Sequence, residues 1–145
     1  MQLAFGDEAF ADRRLVGVGT RTPDDTIGHA ALSIEFSNGV VASIQSTDNF
    51  GMAHDFTVMT DAGELRFDTN PWLPGTHNQI TWQPYGGAAE HIVVADEHDA
   101  FHHQVKMVET CVAAGLTEAT RPSPLLDDSL EIMDVLTEWE RQCME

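Results

Sequence analysis

His29-Ala30-Ala31-Leu32-Ser33-Ile34-Glu35-Phe36, then Ser37-Asn38-Gly39, then Val40-Val41-Ala42-Ser43-Ile44-Gln45-Ser46-Thr47, decides the fold. Apolar residues recur at every second position, the period of a strand whose side chains alternate between two faces. Ala30, Leu32, Ile34 and Phe36 take one face, with Ser33 and Glu35 opposite. Val40, Ala42 and Ile44 alternate in the same way against Val41, Ser43, Gln45 and Thr47. Asn38-Gly39 joins the runs, and Asn-Gly is a strong hairpin signal because both residues tolerate positive φ.

The same period extends in both directions. Arg14 to Thr20 reads as a strand before the hairpin, followed by the polar turn Thr22-Pro23-Asp24-Asp25. His54 to Thr60 and Glu64 to Asp68 read as two more, turned at Asp61-Ala62-Gly63, with Leu65 and Phe67 on one face. Asn70-Pro71-Trp72-Leu73-Pro74-Gly75 is a loop, since two prolines exclude regular pairing. Gln79 to Gln83 and His91 to Ala95 complete the strands. The period then becomes helical. Phe101, Val105, Val108 and Val112 form one apolar stripe, with Asp96 as the expected cap and Gly115 as the stop. After the linker 116–124, with Pro122 and Pro124, Ile132, Val135, Leu136, Trp139 and Cys143 line a second helix. Asp128 and Glu131 have capping-box spacing at its start.

These elements predict an α+β fold: a two-layer arrangement of a largely antiparallel sheet of about six or seven strands, with helices packed on one face. Residues 1–145 are expected to form a single domain. The other sheet face, with Ser33, Ser43, Gln45, Thr47 and Val41, suits either solvent or a two-fold homodimer, and the homodimer is the reading adopted. Gln2-Leu3-Ala4-Phe5-Gly6 resembles the end of a helix closed by a C′ glycine, and about one turn of helix is not stable alone. The expectation is that the chain is the back half of a larger protein.

Charge and cysteine content narrow the function. Acidic residues number 24 against 7 basic, a net charge of −17. That sign opposes binding to nucleic acid or to anionic membrane surfaces. Cys111 and Cys143 do not make a disulfide framework, and a thiol buried on an apolar helix stripe is inert. No run of about 18 apolar residues occurs and no secretory signal follows Met1, so a cytoplasmic location is expected.

Chemistry-bearing motifs are sparse. His98 and His102 share a helix face at a spacing that chelates zinc, with His103, Glu97 and Asp99 nearby. No His-Glu-x-x-His accompanies them, and a solvated polar face is the reading adopted, with no metal ligands assigned. A metal-dependent enzyme built on His98 and His102 is a minor alternative. His29, His54, His77 and His91 are scattered and read as structural or exposed. No Gly-x-Ser-x-Gly elbow is present, and Gly17-x-Gly19 lies within a strand rather than opening a helix, so it is not a dinucleotide fingerprint. Loop aromatics remain. Asn49, Phe50 and Trp72 are the candidate substrate-pocket residues, because loops carried by a rigid scaffold often line binding sites.

The ordered pieces resemble the C-terminal domain of the Gfo/Idh/MocA oxidoreductases, in the branch of dihydrodiol and sugar dehydrogenases. The likeness rests on Leu3-Ala4-Phe5-Gly6, the hairpin from Ala31 to Ala42, the pair around Asp61-Ala62-Gly63-Glu64-Leu65-Arg66-Phe67-Asp68 leading to Asn70-Pro71-Trp72, Phe101 to Gly115, and Pro124 to Met133. Thr60-Asp61-Ala62-Gly63 departs from the family's Gly-Thr-x-Gly turn. The resemblance implies a two-domain enzyme whose N-terminal Rossmann domain binds NAD or NADP. This chain would supply contacts to a small-molecule sugar, polyol or diol substrate and a dimer interface. The family's catalytic lysine, in a Glu-Lys-Pro motif, and its second catalytic group have no counterpart here. The chain alone is therefore expected to bind no cofactor, to contribute no catalytic residue and to be inactive. The alternative from a different class is a free-standing ligand-binding or protein-interaction module of the same fold.

Overall fold

The computed structural model describes residues 12–51 and 53–144. The helix-end stub Gln2–Gly6 lies outside the described residues. Among the described residues, seven strands precede two helices: β1 (Arg13–Arg21), β2 (Ile27–Phe36), β3 (Val41–Thr47), β4 (Thr57–Met59), β5 (Gly63–Phe67), β6 (His77–Pro84), β7 (Glu90–Ala95), α1 (Ala100–Ala113) and α2 (Leu126–Met144). All strand pairings are antiparallel. This is the α+β class with the strand number expected. Hydrogen bonding divides the strands into a three-stranded sheet, β1-β2-β3, and a four-stranded sheet, β4-β5-β6-β7. The chain accordingly forms two compact units, one from 12–51 with 118–144 and the other from Ala53–Thr117. Among the described residues, no helix is long and apolar enough to cross a membrane.

In the first unit, strand alternation and a helix face meet. Leu32, Ile34 and Phe36 on β2 are buried, with Val135 of α2 against them and Leu15, Ala42, Ile44 and Trp139 around them. Gly39, at φ +84°, closes the β2–β3 hairpin as Asn-Gly requires. α2 lies close to β1 because two glycines leave room for it. A Cβ on Gly17 would stand 2.6 Å from the Trp139 ring, and one on Gly19 would stand 2.7 Å from the Cys143 sulfur. The Gly17 amide donates to Gln142 Oε1 at 2.6 Å, and the Trp139 indole N–H donates to the Ala31 carbonyl at 3.1 Å. Of the expected α2 stripe, Val135 is buried and Trp139 and Cys143 half-buried, while Ile132 and Leu136 are exposed at its margin.

The capping expectation for α2 needs a correction. Asp128 is not the cap. It sits in the first turn, buried, and accepts from the Leu125 amide at 2.6 Å, the reach-back half of a capping box. Arg121 grips the same carboxylate in a fork, at 2.6 and 2.8 Å. The Leu125 amide, and then Arg121, hold the Asp128 carboxyl below its ordinary range.

In the second unit, Leu65 lies opposite Trp82, and Phe67 opposite Ile80, which in turn faces Ile92. The β4–β5 turn that departs from the family pattern is built on Thr60. Its hydroxyl accepts from the amides of Ala62 and Gly63, both at 3.1 Å, and its own amide donates to the Gly63 carbonyl at 2.9 Å. Gly63 is required by close approach, since a Cβ there would meet the Gln83 carbonyl oxygen at 2.4 Å.

Two expectations for α1 are corrected. Its cap is Asp99, which accepts from the His102 amide at 3.0 Å, while Asp96 binds the His98 amide one turn earlier. The stripe Phe101, Val105, Val108 and Val112 is exposed, from 59% at Val105 to 72% at Val112. The buried residue of α1 is Cys111, whose thiol lies 3.8 Å from the Met107 sulfur one turn before. Helical period marks an apolar face, but only tertiary packing decides which side is covered.

Candidate functional site

Asn49 and Phe50 follow β3 in the first unit. Gly28 organises this corner: its carbonyl accepts from the Asp48 amide at 2.9 Å and the Thr47 hydroxyl at 3.0 Å. The Asn49 side chain lies directly over the bare Cα of Gly28. Phe50 is exposed and rests on the His29 ring, with centroids 5.2 Å apart. Nδ1 of His29 is buried there with no hydrogen-bond partner. The corner therefore presents an aromatic ring and an amide to solvent, with an imidazole behind them.

Trp72 belongs to the second unit, so it does not join Asn49 and Phe50 in one unit's constellation. Its amide donates to Asn70 Oδ1 at 3.0 Å, the Asx turn that an Asn-Pro loop favours. Its ring meets Phe56 edge-on at 6.0 Å, and Phe56 meets Phe67 edge-on at 5.2 Å. Trp72 remains 64% exposed, so this ladder anchors an indole in the sheet while leaving most of it available for contact.

The most connected polar arrangement was invisible in the sequence. Arg66, Thr81 and His91 lie opposite one another on β5, β6 and β7. Thr81, buried, donates its hydroxyl to Asp68 Oδ2 and lies 3.0 Å from Nδ1 of His91. Arg66 Nε donates to the other Asp68 oxygen at 3.0 Å. Thr81 has one hydroxyl proton, and Asp68 takes it, so His91 Nδ1 must be the donor to the Thr81 oxygen. In the neutral ring, Nε2 is then left as the acceptor. The Thr81 hydroxyl, and then Arg66, hold the Asp68 carboxyl below its ordinary range. The arrangement can accept a hydroxyl hydrogen bond at Nε2. Thr81→Val keeps the shape and removes the link. The expected result is a loss of stability of about 1–2 kcal/mol and a shift of His91 towards mixed tautomers, read by nitrogen NMR of the imidazole; an unchanged tautomer would refute the assignment.

At the start of α1, the rings of His98 and His102 stack at 3.7 Å. Asp96 lies 3.6 Å from His98 Nδ1 and 3.5 Å from His103 Nε2. The His98 amide first, and the two imidazoles after it, hold the Asp96 carboxyl low. Among the described residues, no group of three or more His, Cys, Asp or Glu side chains is placed to hold a metal ion.

Every Lys and Arg side chain is already paired with a carboxylate. The pairs are Arg13–Asp134, Arg14–Glu35, Arg21–Asp25, Arg66–Asp68, Lys106–Glu109, Arg121–Asp128 and Arg141–Glu138.

No protein-family model matches the sequence, and no curated protein matches it. Solved structures do share its fold. The aldose–aldose oxidoreductase from Caulobacter crescentus, complexed with glycerol, matches at a TM-score of 0.72 and 17% identity, over 90% of this chain and 38% of that one. A variant of KijD10, a 3-ketoreductase from Actinomadura kijaniata, in complex with TDP-benzene and NADP, matches at 0.76 and 20% identity, over 94% of this chain and 41% of that one. The open conformation of KijD10 matches at 0.72 and 21% identity. The chain therefore shares the fold of these oxidoreductases over about two fifths of their length.

Proposed function

We propose that this chain is the C-terminal, substrate-side and dimerisation domain of a cytoplasmic NAD(P)-dependent oxidoreductase acting on a sugar, polyol or diol, and that it is inactive without a Rossmann domain. The observation that carries this is the shared fold with oxidoreductases of which the chain spans about two fifths. In this reading, exposed Phe50 of the first unit offers a flat apolar face to a sugar ring and Asn49 beside it offers hydrogen bonds to its hydroxyls, while exposed Trp72 is a candidate contact of the second unit taken by itself. The nicotinamide, held by the other domain, would take the hydride.

Dimerisation is assigned to the uncovered face of the three-stranded sheet. There Val16 lies opposite Ser33, which lies opposite Ser43; Val18, Ala31 and Gln45 form the next row. Val16, Val18 and Val41 are 56–67% exposed. The centre of the face is thus apolar or small, while Arg14 and Glu35 pair at its end. This composition suits a self-complementary contact about a two-fold axis. Sedimentation equilibrium should show a dimer, and Val16→Glu with Val18→Glu should convert it to a folded monomer. A monomeric parent protein would contradict the assignment.

A further inference from the structure

We infer that the first unit carries a binding site for a small organic cation, in the cavity between α2 and the β2–β3 side of its sheet. Its lining does not include Asn49 or Phe50, although Asp48 directly precedes Asn49, so it borders the corner assigned above to the substrate. The cavity measures about 220 Å³, and its lining includes Ala30, Leu136, Trp139 and Cys143, with Asp48 and Glu140 as the charged members. At ~30 Å³ per water, that is about seven waters' worth of space, the size of a monocyclic amine.

Three observations select a cation. First, the Trp139 indole N–H is donated to the Ala31 carbonyl, so the indole brings carbon surface rather than a free donor to the lining. Second, the carboxylates of Asp48 and Glu140 are exposed and have no ion-pair partner among the described residues. Third, no lysine or arginine is left to neutralise them, since all seven are paired with other carboxylates. An anion would meet two like charges, and a neutral molecule would gain only the apolar contact. An ammonium on an aromatic or aliphatic body satisfies both parts of the lining: its body lies against Leu136 and Trp139, and its charge lies near Asp48 and Glu140.

The test uses the whole chain at low salt and three probes of one shape: benzylammonium, benzyl alcohol and benzoate. Binding is followed by the NMR shift of the Trp139 indole N–H, assigned by its loss in Trp139→Phe. Benzylammonium should bind about tenfold more tightly than benzyl alcohol, and benzoate should not bind. Asp48→Asn with Glu140→Gln should bring the ammonium to the level of the alcohol; both positions are exposed, so the fold is kept. High salt should weaken the ammonium and leave the alcohol unchanged. Equal affinity for ammonium and alcohol, an unaffected double variant, or no shift with any probe would each overturn the inference.

Discussion

Raising sodium chloride from 10 mM to 1 M should raise the melting temperature of this chain by roughly 10 °C, a few kcal/mol for a protein of this size. The seven basic groups are consumed in ion pairs, and the net charge of −17 is carried by the remaining carboxylates. Holding them on one compact surface costs free energy that the expanded chain escapes. At 10 mM the Debye length is ~30 Å, so these charges repel across the molecule; at 1 M it is ~3 Å and the repulsion is screened. The surface ion pairs weaken in the same salt, but each exposed pair contributes only ~0–1 kcal/mol, so the net effect is stabilising. Acid acts in two opposing ways. Protonating unpaired carboxylates relieves repulsion. Asp68, Asp128 and Glu138, whose carboxyls are held low in the folded state (Glu138 at about 2, by Arg141 and then Gln142), contribute stability above their unfolded pKa values that is lost as pH falls below about 4. At low salt, stability should therefore peak in mild acid and then fall. Scanning calorimetry across salt and pH measures both effects. A melting temperature that drops with salt would show that the ion pairs, not the excess charge, dominate.

Trp139→Ala should remove about 3 kcal/mol of stability, a large part of the 5–15 kcal/mol typical of a domain. Trp139 ties α2 to the sheet in two ways. Its ring fills the space that Gly17 leaves bare, and its N–H reaches the Ala31 carbonyl on the central strand. Loss of the ring opens a void between α2 and β1, and the neighbouring Gln142–Gly17 bond at 2.6 Å then lacks a packed support. Trp139→Phe should cost only about 1–2 kcal/mol, since much of the ring contact survives and one hydrogen bond is lost. Urea unfolding of both variants checks the ranking. A loss below about 1 kcal/mol for Trp139→Ala would mean that α2 is held chiefly by Val135 and by the Arg13–Asp134 pair.

Local signals in the sequence were sufficient for the first sheet. Alternation in Ala30, Leu32, Ile34 and Phe36 is a property of the strand itself, and Asn38-Gly39 fixes the register of the hairpin next to it. Where the outcome depends on partners distant in sequence, the reading stops. Gly17 and Gly19 look like weaknesses in a strand until a helix more than a hundred residues later needs the space. The α1 stripe is visible as a period, yet Cys111 rather than Val108 is buried, because the buried side is set by packing. Asp68, Thr81 and His91 converge only through the registers of three strands, each fixed by a separate turn, and Thr60 builds one of these in place of the expected glycine. Asn49, Phe50 and Trp72 were legible only as side chains at loop positions; what they rest on, His29 and Phe56, came from the structure.

The account holds that these residues shape a pocket and an assembly without holding the cofactor. Titration calorimetry of the purified chain with NADPH and with NADH tests it most directly. The account predicts no binding heat at low or moderate salt with either nucleotide. Stoichiometric, saturable binding of either one at micromolar concentration would contradict it.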